Sequence, residues 1–401
     1  MLAGLGRSKE KRMKTQGQKW AWGGTFFVHG GRLRIELWVM IGVLGLMGVG
    51  EVALAGVNHW TGRGIGGLTV PALAIDPVNP NILYAGAELS GVLKSTDGGE
   101  SWSATSLIST IVPALAIDPV NSNIVYAGTN SGVYKSTDGG NSWITVNTGL
   151  TSFTAHSLVI DSVNPNTLYA GTNNGVYKSL NRGDNWSFMG LNNILVNTLT
   201  IDPVNSNIVY AGTNSGVYKS TDGGNSWITV NTGLTSFTVR SLVIDSVNPN
   251  ILYAGTDGGG VFKSTNGGGN WTAINTGLID LRVFALAINP VSPNIIYVGT
   301  IEDGVFKSTN GGGNWTAINT GLIDLRVLSL VIDPVNPNII YVGTDGGSVF
   351  VLEQVPPTVL TGSASSITQT TAILNGSVNP NDLPTTAWFE WGTTSAYGNQ
   401  T

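Results

Sequence analysis

The sequence predicts an all-β fold: a seven-bladed β-propeller of four-stranded blades, closed by an N-terminal strand and followed by a truncated β-sandwich module. Three observations predict it. The phrase "LAIDPVNPNILYAG" returns with its aspartate at Asp76, Asp118, Asp161, Asp202, Asp245 and Asp333, and with Asn289 in the sixth copy. The intervals are 42, 43, 41, 43, 44 and 44 residues, the period of a four-stranded blade. A box typified by "STDGGNSW" accompanies the first six copies and is missing from the seventh. Third, the chain is rich in Gly (55 of 401 residues), sparse in charge (11%) and free of Cys. That composition suits short strands joined by tight turns and excludes a disulfide framework or thiolate chemistry.

Residues 1–55 stand apart. Arg7, Lys9, Lys11, Arg12, Lys14, Lys19, Arg32 and Arg34 precede the apolar run "LWVMIGVLGLMGV" and the small residues "ALA" at 53–55. This is the three-part layout of a secretory signal, with an uncleaved N-terminal anchor as the alternative and Met13 as a possible later start. The segment holds eight of the 19 Lys+Arg and three of the 24 Asp+Glu. Residues 56–401 therefore carry 11 positive and 21 negative groups, a net of −10. Such a surface argues against nucleic acid or anionic lipid as partner.

Residues 56–353 form the propeller. In the second unit, residues 112–118, 124–129, 133–136 and 142–147 read as four strands. Between them lie "PVNSN", "NSG" and "TDGGN", which place Asn, Asp, Pro and Gly where turns need them. The seventh unit has three such strands and no fourth. The missing piece stands at the other end: "VNHWTG" (57–62) puts Trp60 sixteen residues before Asp76, the spacing of Trp102 to Asp118 and Trp186 to Asp202. The N-terminal strand is expected to complete the seventh blade and leave no free sheet edge. A Pro- and Ser-containing linker comes next (354–360). Residues 361–401 alternate like strands of a sandwich but span about half of the roughly 100 residues such a fold needs, so they are read as a fragment, with a poorly ordered tail as the alternative.

Each box has the form S-x-[D/N]-x-G-x-x-W. The six are Ser95, Asp97, Gly99, Trp102; Ser136, Asp138, Gly140, Trp143; Ser179, Asn181, Gly183, Trp186; Ser220, Asp222, Gly224, Trp227; Ser264, Asn266, Gly268, Trp271; and Ser308, Asn310, Gly312, Trp315. An Asp or Asn oxygen can accept from backbone N–H groups of its own turn. The glycines supply positive φ, and the Trp fills space between sheets. Asn in three boxes fits a role that needs an acceptor and no charge. A calcium loop needs several oxygens around one ion, and each box offers one carboxylate or none at its turn. The box is therefore read as structural, with no metal and no cofactor.

This pattern resembles the Asp-box, or BNR repeat, of sialidases, sortilin-type receptors, xyloglucan-degrading hydrolases and photosystem II stability/assembly factors. With the "IDPVNPNILYAGT…GVFKST" phrasing it covers residues 57–353, and is most similar to the last group. "TAILNGSVNP" and "FEWGTTSAYG" resemble half of a fibronectin type III module. The resemblance implies a box hairpin between the third and fourth strands of each blade.

Function is expected on the opposite face, over the central channel. One column varies where the rest repeats: Pro71, Pro113, His156, Asn197, Arg240, Phe284 and Leu328. It should ring the channel mouth. The ligand-binding candidates are His156, Asn197, Arg240, Phe284, Glu302 and Asp303, with the acids able to face Glu88. Residues 117–154 and 201–238 are identical, as are 261–283 and 305–327. Such blades repeat one chemistry, whereas a catalytic site needs different residues converging. The resemblance to sialidases implies three arginines and a Tyr–Glu pair. Yet ten of the eleven Tyr lie in the repeated strands, and the arginine-bearing opening motif is absent. The xyloglucan hydrolases set two propellers face to face. The expectation is thus a secreted or cell-surface, monomeric, non-catalytic scaffold that binds protein or glycan. A glycoside hydrolase of the sialidase or xyloglucanase type is the alternative.

Overall fold

The computed structural model describes residues 58–355, 358–361, 363, 365–366, 373, 375–379, 390–391 and 399–400. The expected signal or anchor at 1–55 lies outside the described residues. Contacts divide the chain into two units, and His59–Glu353 forms one of them. That unit is a seven-bladed propeller of four-stranded antiparallel sheets. Blade 2 is typical, with strands Ala114–Ile117, Val125–Thr129, Gly132–Ser136 and Ile144–Thr145 in sequential order. In the other unit, Thr358–Thr361 pairs with Gly376–Asn379, and Glu390–Trp391 with Asn399–Gln400. The sandwich expected over 361–401 falls largely outside the described residues.

The first strands line the axis, each touching the first strand of the next blade, with Val327–Ile332 of blade 7 touching Ala72–Ile75 of blade 1. The sheet of blade 7 has the order Thr61–Arg63, Val349–Glu353, Ile339–Thr344, Val327–Ile332. Thr61 pairs antiparallel with Val351, and Arg63 with Val349. The fourth strands are shorter than the sequence suggests. Ile144–Thr145 replaces the expected 142–147, because Trp143 leaves the ladder to pack between sheets. Trp60 likewise precedes Thr61–Arg63.

The hydrophobic core is seven wedges, one per blade interface. Trp186 packs with Tyr126, Val133 and Val146 of blade 2 and with Leu168, Ala170 and Tyr177 of blade 3. Trp143, Trp227, Trp271, Trp315 and Trp102 occupy the corresponding wedges. Trp60, 1% exposed, fills the wedge between blades 6 and 7. Its indole Nε1 donates to Ile318 O at 2.5 Å and its backbone N to Thr320 O at 2.9 Å. Trp271 makes the equivalent bonds to Val230 O and Thr232 O, both at 2.8 Å. The approach is close. A Cβ on Gly149, whose φ is +92°, would stand 2.0 Å from Trp186 O, so glycine is required at that turn.

Side-chain hydrogen bonds brace the box turns. Ser136 Oγ donates to Asp138 Oδ1 and accepts from Gly140 N, both at 2.8 Å. Asp138 Oδ1 accepts from Ser142 N at 2.9 Å. Gly139 N donates to Asn123 O at 2.9 Å, which ties the box to the "DPVNSN" turn of its own blade and sets both on one face. That second turn has its own acceptor: Asp118 Oδ1 takes Val120 N at 2.9 Å and Asn121 N at 3.0 Å.

A latch joins neighbouring blades through the box. Tyr84 Oη donates to Gly139 O at 2.9 Å, and Lys94 Nζ donates to the same oxygen at 2.7 Å. Tyr169 and Lys178 repeat this on Gly223 O, Tyr210 and Lys219 on Gly267 O, and Tyr253 and Lys263 on Gly311 O. Each lysine also lies over its tyrosine ring, 5.5 Å from the centroid in blade 1, a favourable contact. Tyr341 reaches Gly98 O across the blade 7 to blade 1 seam at 3.0 Å. Sequence reading placed these Tyr and Lys in strands and missed the role. The available signal was the recurrence of Tyr in "YAG" or "YVG" and of Lys before the box serine.

Candidate functional site

The site is built by a backbone irregularity. In blades 3 to 7 the first strand is bulged between Ala155 and Ser157, Val196 and Thr198, Val239 and Ser241, Val283 and Ala285, and Val327 and Ser329. The extra residues are His156, Asn197, Arg240, Phe284 and Leu328. A bulge leaves one residue unpaired and re-aims its side chain. In blades 1 and 2 the paired strand begins two residues later in the repeat, at Ala72 and Ala114, directly after Pro71 and Pro113. Proline has no N–H to give to a ladder. The whole variable column thus leaves the sheet, and all seven residues line one cavity of about 220 Å³ at the channel mouth.

The polar residues cluster on blades 3 to 5. His156 Nε2 lies 2.6 Å from Asn173 Oδ1. Asn197 Nδ2 donates to Val239 O at 3.0 Å, bridging blades 4 and 5. Arg240 donates from Nη2 to Asp257 Oδ2 at 2.8 Å and from Nε at 3.3 Å, and its guanidinium sits 5.1 Å from the Phe284 ring centroid. The carboxylate and the ring hold the side chain across the rim. Pro71, Pro113 and Leu328 make the facing arc apolar.

Two expected residues fall outside this cavity. Glu302 ion-pairs with Arg282, and its backbone N donates to Asp280 Oδ2 at 2.9 Å. Asp303 N donates to Thr300 Oγ1 at 3.2 Å, and its carbonyl accepts from Asn319 Nδ2 at 2.7 Å. Both belong to the turn between the second and third strands of blade 6, where Arg282 engages Glu302 in place of the expected facing with Glu88. Asp280 and Arg282, on the loop leading into the first strand of blade 6, complete that outer cluster. Below the mouth, a second cavity of about 510 Å³ is lined by Ala, Ile, Leu, Val and Pro alone. Among the described residues, no group of three or more His, Asp or Glu side chains is arranged to hold a metal.

The fold is shared with solved structures of low sequence identity. The GH74 xyloglucanase from Xanthomonas campestris superposes with a TM-score of 0.60 at 18% identity, over 74% of this chain and 53% of that one. YCF48 bound to D1 peptide gives 0.58 at 14%, over 74% of this chain and 97% of that one. The extracellular domain of the putative hybrid two component system BT4673 from B. thetaiotaomicron gives 0.59 at 14%, over 76% and 40%. The chain is a seven-bladed propeller. Its match spans about half the length of the xyloglucanase. No protein-family model matches it, and the comparison with curated proteins returns no match. These neighbours include glycoside hydrolases and a peptide-bound protein alike, so the likeness extends to the fold.

Proposed function

We propose that this is an exported, non-catalytic propeller that binds a protein or glycan ligand at the mouth formed by His156, Asn197, Arg240 and Phe284. One observation carries the reading: the residues lining the mouth are Pro, Ala, Leu, Val, Ser, Thr, Asn, His, Phe and Arg, with no carboxylate and no tyrosine. Carboxylate-pair hydrolysis of a glycoside needs two acids flanking the bond, and Asp257, the acid that contacts a lining residue, is taken up by its ion pair with Arg240. A cation stacked on an aromatic ring beside an imidazole and an amide is instead a recognition surface. The D1 peptide carried by one structural neighbour accords with a peptide ligand.

The finer parts of the reading rest on separate supports. The box bonding supports the Asp-box assignment, and Trp60 in the seventh wedge supports ring closure by the N-terminal strand. The basic and apolar lead-in supports export to the cell surface. The motifs quoted for residues 361–401 support a partial fibronectin type III module. The unit is read as monomeric.

The test compares the full chain with Arg240→Ala on peptide and glycan arrays, with hydrolysis assays on a fluorogenic sialoside and on xyloglucan. Binding that is lost in the variant, at an unchanged melting temperature and without turnover, is the expected result. Sialoside or xyloglucan turnover abolished by Arg240→Ala would sink the proposal.

A further inference from the structure

A second cavity lies below the mouth. Leu115, Leu286, Leu330 and Val331 line both the upper cavity and the lower one, so the two chambers share a wall of apolar side chains. Their walls differ in kind. The upper chamber carries His156, Asn197 and Arg240. The lower chamber, the larger of the two, carries only Ala, Ile, Leu, Val and Pro. Among the described residues lining either chamber, Arg240 is the one permanently charged side chain. Asp257 takes its Nε and Nη2, yet a guanidinium has five N–H donors, more than one carboxylate occupies.

The repeat explains the gradient. The variable residue stands at or next to the start of each first strand, which ends in "LAI", "LVI" or "LTI". The small Ala74, Ala116 and Ala287 face the lower bore with Ile75, Ile117 and Ile288. An apolar chamber of this volume, next to a mouth whose guanidinium keeps N–H donors beyond the two that Asp257 takes, favours a ligand that is apolar over most of its length and anionic at its head. We infer that the bore binds an unbranched alkyl carboxylate, with its chain in the lower chamber and its head at Arg240 and His156. This goes beyond the mouth reading, which uses only the upper chamber, and shares with it the role of Arg240.

Calorimetric titration of the full chain with octanoate, decanoate and dodecanoate, each below its micelle concentration, tests the assignment. Kd should tighten by about threefold to fourfold per added CH2. Arg240→Gln should weaken dodecanoate by about tenfold or more. Ala287→Phe, which fills the lower bore and leaves the mouth untouched, should remove the chain-length dependence. Ala116→Leu is the milder substitute if that variant fails to fold. Decyltrimethylammonium supplies the same apolar chain with the opposite head charge and should bind more weakly than decanoate. Equal affinity for the two heads, affinity independent of chain length, or dodecanoate binding unchanged in Ala287→Phe would each overturn the inference. Arg240-dependent peptide or glycan binding that persists while alkyl carboxylates fail would reject the bore ligand and leave the mouth reading standing.

Discussion

At the scale of single residues, the boxes divide into two chemical versions. Where the third position is Asp, the seventh is Ser: Asp97 with Ser101, Asp138 with Ser142, Asp222 with Ser226. Where it is Asn, the seventh is Asn: Asn181 with Asn185, Asn266 with Asn270, Asn310 with Asn314. The bonding gives the reason. The serine Oγ donates to the second carboxylate oxygen, at 2.6 Å from Ser142 to Asp138 Oδ2. An amide has a nitrogen there, which donates. Asn266 Oδ1 still accepts from Ser264 Oγ and Asn270 N, both at 2.9 Å. Asp138→Asn should therefore lower the melting temperature slightly, and adding Ser142→Asn should recover the loss. A double mutant no better than the single would count against the pairing.

The same contacts set the acid limit of these turns. Hydrogen bonds from Ser142, first from its hydroxyl and then from its backbone N–H, with a further one from Ser136, hold Asp138 down at about 2. Asp97 and Asp222 are held at about 2 by the same arrangement. A folded-state pKa below the ordinary carboxylate value of 3.8 contributes stability that is present above pH 4 and lost as pH falls toward 2. Replacing all three Asp together with their paired Ser by Asn should flatten the melting temperature over that window. Scanning calorimetry between about pH 2 and 5 reads it.

At the scale of elements, the blade interfaces hold the molecule together. Burial, reinforced by neighbouring aspartates, pushes Tyr84 and Tyr169 up to about 12, and burial with Asp202 or Asp245 does the same for Tyr210 and Tyr253. Raised folded pKa values give stability that is complete below pH 10 and lost as pH climbs through about 12. Alkaline unfolding should fall in that window, and Tyr210→Phe should move its midpoint upward while costing about 0.5–1.5 kcal/mol at neutral pH. An unmoved midpoint would exclude the latch tyrosine as a determinant of alkaline unfolding. The N-terminal strand makes a second prediction. Trp60→Ala should cost about 3–5 kcal/mol, like Trp271→Ala, because each empties one wedge. Denaturant melts of the two variants decide it; a near-neutral Trp60→Ala would show that the seventh seam does not depend on the N-terminal strand.

At the scale of the whole molecule, seven similar blades make one dissimilar place. Repeated residues build the wedges and latches, and the ring brings together seven strand-start positions far apart in sequence. Removing Arg240 should therefore change binding and leave the melting temperature unchanged, whereas removing a wedge Trp should change the melting temperature first. The variable column was legible before the fold was seen, because repeats permit comparison within one chain. The bulges that turn His156, Asn197, Arg240, Phe284 and Leu328 into the mouth were not, since a bulge is a register mismatch between two strands. Glu302 and Asp303 were misplaced for a related reason: sequence shows loop charges but not which cation they meet, and Arg282 lies on a neighbouring loop.

The sequence by itself determined the blade count and the four-stranded order of each blade. Each comes from local period, turn chemistry and fixed spacing, which are properties of the chain read along its length. Only the tertiary structure decided the latches and the pairing of a polar mouth with an apolar cavity below it. The carbonyl that Tyr84 and Lys94 share belongs to the next blade, and the channel wall is drawn from strands hundreds of residues apart. Such contacts exist only once the ring brings those surfaces together.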